Sequence, residues 1–281
     1  MSAPAARSPA PPPALPPPLD RAYGQAKNWR LLRRLGFAGI LLGLAAWQAE
    51  VDPWRFLSNL PQGLERGQGF LRPALAAFPE MFAPAVVTLL LAAIPTPLGI
   101  AAAIPVALAA SKNLVPMPLR TLARAVITLQ RGVPEIVVMV LLAAAFGLGP
   151  YPGIVAIAVG SVGMLAKLFA DAIEEVDDKQ MEAIACTGAS RWQIIRYGIL
   201  PEVFPVIVAN SIFRFEINMR QAGLLGAVGA GGLGYELSAS MLAVEYDRAM
   251  TVILVTLGVI FLVEKCSDWL RKNMLQGEAL K

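Results

Sequence analysis

The sequence predicts an all-α membrane protein with six transmembrane helices and both termini in the cytoplasm. Three observations support this fold class. Hydrophobic side chains make up 56% of the 281 residues and charged side chains only 16%, whereas soluble domains have roughly 45–50% apolar and about 25% charged residues. The apolar residues cluster in stretches close to the ~20 residues that cross a bilayer. Lysine and arginine are abundant in alternate loops. Together these features argue against a soluble enzyme.

Six apolar stretches are the predicted spans: residues 35–49, 83–110, 126–148, 151–169, 201–228 and 249–263. Pro95, Pro97 and Pro105 interrupt the second stretch. Such prolines are tolerated because neighbouring helices satisfy the freed carbonyls. The first stretch is short enough to be a signal peptide, but the residues at its end, WQAEVDPW, make a poor cleavage site. We therefore expect it to be a retained helix.

The orientation follows from the basic residues. Eighteen of the 24 lysines and arginines fall near the N-terminus, in or beside the loops after spans two and four, or near the C-terminus. Four fall on the opposite side and two lie inside span five. The positive-inside rule then places both termini in the cytoplasm. The net charge of +4 is juxtamembrane charge that faces anionic lipid, so we expect no nucleic-acid partner.

The domain organisation follows the apolar pattern. Residues 1–28 are predicted to be a disordered cytoplasmic tail, because eight of the first 20 are proline. Residues 29–82 hold the first span and a periplasmic interfacial segment in which apolar and charged residues mix. Residues 83–270 form the main transmembrane domain, with a cytoplasmic hairpin at 171–201. Residues 271–281 are a cytoplasmic C-terminal tail.

Several kinds of chemistry are excluded by composition. The chain has no histidine, and Cys186 and Cys266 lie 80 residues apart without a CxxC motif. We therefore expect no catalytic residue and no metal site. No GxxxxGK[ST] motif is present, so this chain does not hold ATP in a P-loop.

A glycine-rich segment after span five satisfies GxGxxG, but a dinucleotide site needs a preceding strand and a βαβ unit. An apolar membrane span precedes this one. Its glycines are instead predicted to allow tight backbone packing or to form a hinge at the periplasmic gate. They are Gly229, Gly231, Gly232 and Gly234.

The segment 171–201 predicts a helix, a tight turn and a second helix on the cytoplasmic surface. Gly188 suits a left-handed position that ends the first helix. Ser190 with Gln193 forms a capping-box pattern that starts the second. Pro201 is predicted to end it. On these features alone, a solvated connector between two membrane helices remains an alternative.

Four polar residues lie inside span five: Arg214, Glu216, Asn218 and Arg220. Ionisable groups at membrane depth are expensive, so each is a functional candidate. Glu216 and Arg220 stand four residues apart and form an ion pair in the structural alternative. In the functional alternative the four residues line a translocation pathway, where arginine suits oxyanions. Glu135 is predicted to be an interfacial or helix N-terminal carboxylate.

The hairpin resembles the EAA loop of permeases from ATP-binding cassette (ABC) importers. The matching positions are Glu182, Ala183, Gly188, Leu200 and Pro201. Two positions depart from the motif, with isoleucine at 184 in place of alanine and glycine at 198 in place of isoleucine. The resemblance to the phosphonate class of these permeases covers roughly residues 83–270. Its most specific parts are the segments RFEINMR and VGAGGLG. The loop PVALAASKNLVPMP, which lies earlier in the chain, also resembles this class.

The resemblance implies a type I ABC importer permease fold with six spans. It further implies a second permease subunit, identical or homologous, two cytoplasmic ATP-binding subunits and a periplasmic substrate-binding protein. ATP and Mg would be bound by the ATP-binding subunits, with no cofactor in this chain. The five EAA-loop residues would couple ATP hydrolysis to alternating access, and the cargo would be a phosphonate, phosphite or hypophosphite.

Two other classes are weaker alternatives. An ion-coupled secondary transporter of a small anion predicts internal symmetry and acidic residues deep in the spans. No repeat is visible, and Glu216 is the one carboxylate deep in a predicted span. An intramembrane enzyme would need a histidine, a metal site or a pair of carboxylates, and the sequence offers none of these.

Overall fold

The computed structural model describes residues 20–48 and 52–278, and within these ranges the chain is helical with no β-strand. The all-α prediction is therefore confirmed for the described residues. The chain divides into two compact units, residues 1–63 and 64–281. The predicted tail up to residue 19 and the last residues, 279–281, lie outside the described residues.

The first unit holds helix α1 (Asp20–Gln48) and most of α2 (Pro53–Gly67). Helix α1 begins inside the predicted tail, and its apolar side chains from residue 31 onward are exposed. It is not among the described helices that are long and apolar enough to cross a membrane. The reason is that basic residues up to Arg34 shorten its apolar stretch. The first predicted span is therefore not confirmed.

The second unit contains the apolar bundle. Its helices are α3 (Phe82–Ala93), α4 (Pro95–Ala110), α5 (Met117–Arg131), α6 (Glu135–Phe146), α7 (Pro150–Glu174), α8 (Asp178–Ala185), α9 (Arg191–Ile194), α10 (Leu200–Leu225), α11 (Gly232–Leu242) and α12 (Tyr246–Glu278). Four helical stretches of the described residues are long and apolar enough to cross a membrane: Leu75–Ala110, Pro150–Glu174, Arg191–Ala230 and Tyr246–Asn273. A fifth results if α5 and α6 count as one span.

The third predicted span, 126–148, is broken near its start. Helices α5 and α6 are bent by 80° at a short break. Pro134 is the cause, because it lacks an N–H and disfavours a helical residue before it. Helix α5 ends at Arg131 with Gly132 as its C-cap, and Glu135 becomes the first residue of α6. The break thus places Glu135 at a helix start.

Helix α7 is the centre of the bundle, and α3, α4, α5, α6 and α10 pack against it. Its contact with α4 is built from small residues, including Ala103 and Ala107, beside Leu165 and Phe169. Gly99 lies so close to Ser161 that a Cβ atom there would overlap the serine. Small residues of this kind let membrane helices approach closely. This close packing holds the polar residues of α7 against their partners on α4 and α10.

Candidate functional site

The predicted hairpin is present, and its ends are set by local hydrogen bonds. Asp177 caps α8 by accepting a bond from the Lys179 backbone N–H at 2.9 Å. Gly188 has a φ of +80°, which glycine adopts without strain. Ser190 and Gln193 form the predicted capping box, with distances of 2.7 and 3.4 Å. The helix–turn–helix prediction is therefore confirmed.

The second arm of the hairpin does not end at Pro201, contrary to the prediction. Helix α9 continues through a π-helical turn, Ile195–Ile199, directly into α10. Pro201 falls in the first turn of α10, a position where a missing N–H is tolerated. The second arm of the hairpin and the long helix α10 are consequently one continuous helical segment.

The five residues predicted to couple the chain to an ATPase lie on α8, in the turn after it, or at the start of α10. Glu182, Ala183, Gly188, Leu200 and Pro201 are exposed in the described structure. Two large aromatic side chains of the second arm are exposed as well, Trp192 at 71% and Tyr197 at 66%. The sequence analysis did not select these aromatics as site residues, although an aromatic residue in a polar hairpin is a signal for a contact surface.

A groove of about 670 Å³ borders the hairpin. Lys112 and Asn113, from the loop between α4 and α5, line one wall, and Glu182 and Arg191 line the other. The hairpin thus presents both charged and aromatic groups beside a concave surface.

The two departures from the EAA pattern compensate each other. A Cβ atom added to Gly198 would lie 2.8 Å from Cδ1 of Ile184. The larger residue at 184 therefore occupies the space that a side chain at 198 would need. Gly198 is buried within the π-helical turn, so the two arms of the hairpin meet at this contact.

Glu174 ties the end of α7 to the loop that follows α4. Its Oε1 accepts hydrogen bonds from the Lys112 backbone N–H and from Nη2 of Arg124, both at 2.6 Å. Nε of Arg124 also donates to the Ala110 carbonyl at 3.0 Å. These bonds fix the point from which the hairpin leaves the bundle. The sequence analysis missed them because the partners lie 50 and 62 residues apart.

A layer of buried polar side chains crosses the middle of the bundle. It consists of Thr96, Ser161, Arg214 and Asn218, and is called the polar layer below. Asn218 Nδ2 donates to Thr96 Oγ1 at 2.8 Å and to Ser161 Oγ at 3.2 Å. Nε of Arg214 donates to Ser161 Oγ at 2.9 Å. Two of the four predicted pathway residues, Arg214 and Asn218, therefore meet in one network that joins α4, α7 and α10.

The guanidinium of Arg214 has three further neighbours. Nη2 donates to Glu135 Oε1 at 3.3 Å and to Gln221 Oε1 at 3.2 Å. Nη1 has the thioether sulfur of Met164 at 3.2 Å. Among the described residues, Glu135 is the one carboxylate within ion-pair distance of Arg214. Glu135 is thus a helix N-terminal carboxylate, as predicted, and in addition the counter-ion of a buried arginine.

The pair between Glu216 and Arg220, which the sequence left open as the structural alternative, does not form. Both residues pair with α12 instead, Glu216 with Arg271 at 3.0 Å and Arg220 with Glu264 at 2.6 Å. The crossing of α12 brings opposite charges to each of them, and this interhelical contact replaces the weak pair along one helix. Arg214 and Arg220 accordingly lie on different surfaces of α10.

The glycine-rich segment folds into a tight turn. Gly229, Gly231 and Gly232 have φ values of +112°, +92° and +72°, and the backbone of Gly223 lies where a side chain of Gly234 would stand. Close packing of the backbone here was predicted and is confirmed. The turn leads into α11, which the sequence analysis did not predict, and Leu233 N–H donates to Thr88 Oγ1 at 2.8 Å. The role of these glycines as a gate stays a prediction.

Comparison with known proteins decides the family. Residues 96–276 match the family described as the inner membrane component of binding-protein-dependent transport systems. The chain belongs to this family of ABC importer permeases. It is 34% identical to the phosphite transport system permease protein PtxC of Stutzerimonas stutzeri, over 86% of this chain and 90% of that protein. A relative from Mycolicibacterium smegmatis, the phosphate-import permease protein PhnE, is 39% identical over 70% of this chain. That match spans only 37% of the mycobacterial protein.

Solved structures agree with the fold of the permease. An inward-facing form of the MetNI methionine ABC transporter superimposes with a TM-score of 0.60 at 22% identity, covering 69% of this chain and 95% of that one. A bacterial alginate ABC transporter gives a TM-score of 0.56 at 16% identity, over 87% and 98% of the two chains. The protein is therefore a multi-pass inner-membrane permease of the phosphonate class with a type I permease fold. This membership separates it from the ion-coupled secondary transporters.

A larger groove of the permease is lined by Thr96 of the polar layer but not by Arg214. It has a volume of about 820 Å³ and runs between α4, α10 and α12. Its lining is apolar, with Ile100, Phe204, Phe215 and Leu262 among the contributing side chains. An apolar surface of this kind suits lipid or another apolar helix and is unsuited to an anion. The polar layer is consequently the better candidate for contact with a charged cargo.

Proposed function

We propose that this permease moves a phosphorus oxyanion across the bacterial inner membrane as part of an ATP-driven, binding-protein-dependent importer. The chain has six spans and cytoplasmic termini in this proposal, with α1 as the first span. It works with a second permease, identical or homologous, two cytoplasmic ATP-binding subunits and a periplasmic binding protein. ATP and Mg belong to the ATP-binding subunits, and this chain carries neither cofactor nor catalytic residue.

One observation carries the proposal for the mechanism: the exposed hairpin is helically continuous with α10, the helix that bears Arg214. The hairpin docks on an ATP-binding subunit through Glu182, Ala183 and Gly188, with Trp192 as an aromatic anchor. Closure of the ATP-binding subunits moves the hairpin, and α10 moves with it because no flexible linker separates them. The bundle then alternates between inward-facing and outward-facing forms.

The cargo class rests on the similarity to relatives whose names state phosphite and phosphate transport. A buried arginine in the bundle fits this class, because its forked donors match the oxygens of a phosphorus oxyanion. Phosphonate, phosphite and hypophosphite share that chemistry. The pathway role predicted for four residues is proposed here for Arg214 and Asn218, which meet in the polar layer. Glu216 and Arg220 are assigned a structural role because they pair with α12.

ATP hydrolysis by the purified complex in proteoliposomes tests the proposal. Binding protein loaded with phosphite, methylphosphonate or hypophosphite should stimulate the unmodified complex, and the stimulating anion identifies the cargo. Glu182→Ala, Gly188→Asp and Trp192→Ala should reduce the stimulated rate at least tenfold. Trp54→Ala, which alters an equally exposed tryptophan far along the chain, should leave it unchanged. If the binding protein still stimulates ATP hydrolysis in all three hairpin variants, the hairpin is only a connector between two membrane helices.

A further inference from the structure

The guanidinium of Arg214 is buried but poorly satisfied along one edge. Its Nε bond to Ser161 is 2.9 Å long. Along the Nη edge, both bonds to carbonyl or carboxylate oxygens measure 3.2 Å or more, and Met164 offers only a thioether. Charge-assisted N–H···O bonds normally measure about 2.7–2.9 Å, and a thioether is a weak acceptor. The Nη edge therefore retains capacity for a better acceptor.

Glu135 is the accessible member of the ion pair on that edge. The Arg214 side chain is 3% exposed, whereas that of Glu135 is 26% exposed. Gly160 on α7 makes room for the carboxylate, because a Cβ atom there would lie 2.5 Å from Cγ of Glu135. The carboxylate thus reaches the arginine from the accessible side of the polar layer. An anion arriving from that side would meet Glu135 before Arg214.

The single positive charge of Arg214 can be balanced by only one anion at a time. Arg214 and Glu135 neutralise each other, and no second ion pair to Arg214 occurs among the described residues. A phosphorus oxyanion next to both groups would be repelled by the carboxylate as strongly as the arginine attracts it. The oxyanion can bind Arg214 only when Glu135 withdraws.

Arg214 and Glu135 also belong to segments that can move apart. Arg214 stands on α10, which continues into the hairpin through the π-helical turn. Glu135 begins α6, on the far side of the 80° break from α5. A shift of the hairpin that carries α10 along the bundle changes the distance between the two groups, whereas α6 has no such connection to the hairpin.

We propose that the Nη edge of Arg214 holds the phosphorus oxyanion inside the membrane, and that Glu135 is a resident anion which the cargo displaces. This inference rests on the proposed function. Glu135 occupies the arginine in the resting form, so that the buried charge is never left alone. Movement of α10 separates the pair and exposes the guanidinium to the cargo, and the return of Glu135 expels it. Arg220, with its exposed partner Glu264, takes no part.

Anion binding to the assembled complex tests the inference directly. The complex of permease and ATP-binding subunits is placed in nanodiscs without binding protein and titrated with phosphite, followed by phosphorus NMR and by thermal unfolding. Glu135→Gln keeps the shape of the side chain and removes its charge. It should bind phosphite at least tenfold more tightly than the unmodified complex, and phosphite should raise its unfolding temperature more. Arg214→Lys, which keeps the charge but loses the fork, should bind at least tenfold more weakly.

The control variants are Arg220→Gln and Glu264→Gln, which break the exposed pair on the same helix and should bind phosphite like the unmodified complex. Equal binding by Glu135→Gln and the unmodified complex would overturn the inference, as would unchanged binding by Arg214→Lys. In that event the proposed function still stands if phosphite-loaded binding protein stimulates ATP hydrolysis by the unmodified complex. If no phosphorus oxyanion stimulates the unmodified complex, the proposed function fails, and this inference fails with it.

Discussion

The hairpin and the polar layer differ in how far apart along the chain their bonded residues lie. The capping box joins residues three apart, on a surface that is exposed throughout. The bonds of the polar layer join residues 53 to 122 apart, and its members are buried. The hairpin can therefore form from local sequence, whereas the polar layer forms only when the bundle has assembled. A substitution in the hairpin should therefore affect the hairpin alone, whereas a substitution in the polar layer should lower the stability of the whole bundle.

The largest loss of stability should follow from Glu135→Ala. This change leaves the buried charge of Arg214 without a counter-ion, and breaking a buried pair in this way costs about 3–5 kcal/mol. Thermal unfolding of the purified complex should show the loss. The double variant Glu135→Ala with Arg214→Met should recover most of it, because no lone charge remains.

Glu264→Ala is the matched control, since it removes the partner of an arginine that is 49% exposed. Exposed pairs are worth about 0–1 kcal/mol, so its unfolding temperature should barely change. Equal losses for the two single variants would show that burial of Arg214 has no energetic weight, and the contrast between exposed and buried sites would disappear.

An intermediate loss of stability should follow from Gly198→Ile, which restores the isoleucine that the EAA motif has at this position. The new side chain overlaps Ile184, and overpacking of this kind costs typically about 1–3 kcal/mol. Ile184→Ala in the same chain should relieve the overlap, so the double variant should be more stable than Gly198→Ile alone. Thermal unfolding of all four forms completes the cycle. Additive effects would mean that the two departures from the motif are independent.

Prolines show how far the sequence could determine the fold. Pro134 breaks the third predicted span, whereas Pro201 leaves its helix intact. The residue type is the same, and the outcome depends on what precedes it. A π-helical turn leads into Pro201, and a glycine that has already ended α5 leads into Pro134. A proline in an apolar span marks a place where the helix can be altered, and the structure that precedes it decides whether the chain bends.

Charge pairing shows the same limit within the candidate site. The sequence alone identified Arg214, Glu216 and Arg220 as unusual, because charges at membrane depth need partners. It did not identify their partners, since only the crossing of α10 and α12 brings Glu216 to Arg271. Gly188 and Ser190 were assigned correctly because a left-handed turn and a helix cap depend on their immediate neighbours. Turns and helix caps could be predicted from neighbouring residues, whereas ion pairs between helices could not.

The smallest effect should follow from Ser190→Ala, which removes the cap of α9. Loss of a serine N-cap costs typically about 1 kcal/mol of helix stability. Because the cap serves only the hairpin, hydrogen exchange should speed up roughly fivefold at the Gln193 and Ile194 amides, as expected for about 1 kcal/mol, while the unfolding temperature of the complex stays unchanged. Thr187→Ala is the control, since its hydroxyl bonds a carbonyl in the same turn without capping a helix. A drop in unfolding temperature for Ser190→Ala alone would show that the hairpin supports the bundle. The local character inferred for the hairpin would then be wrong.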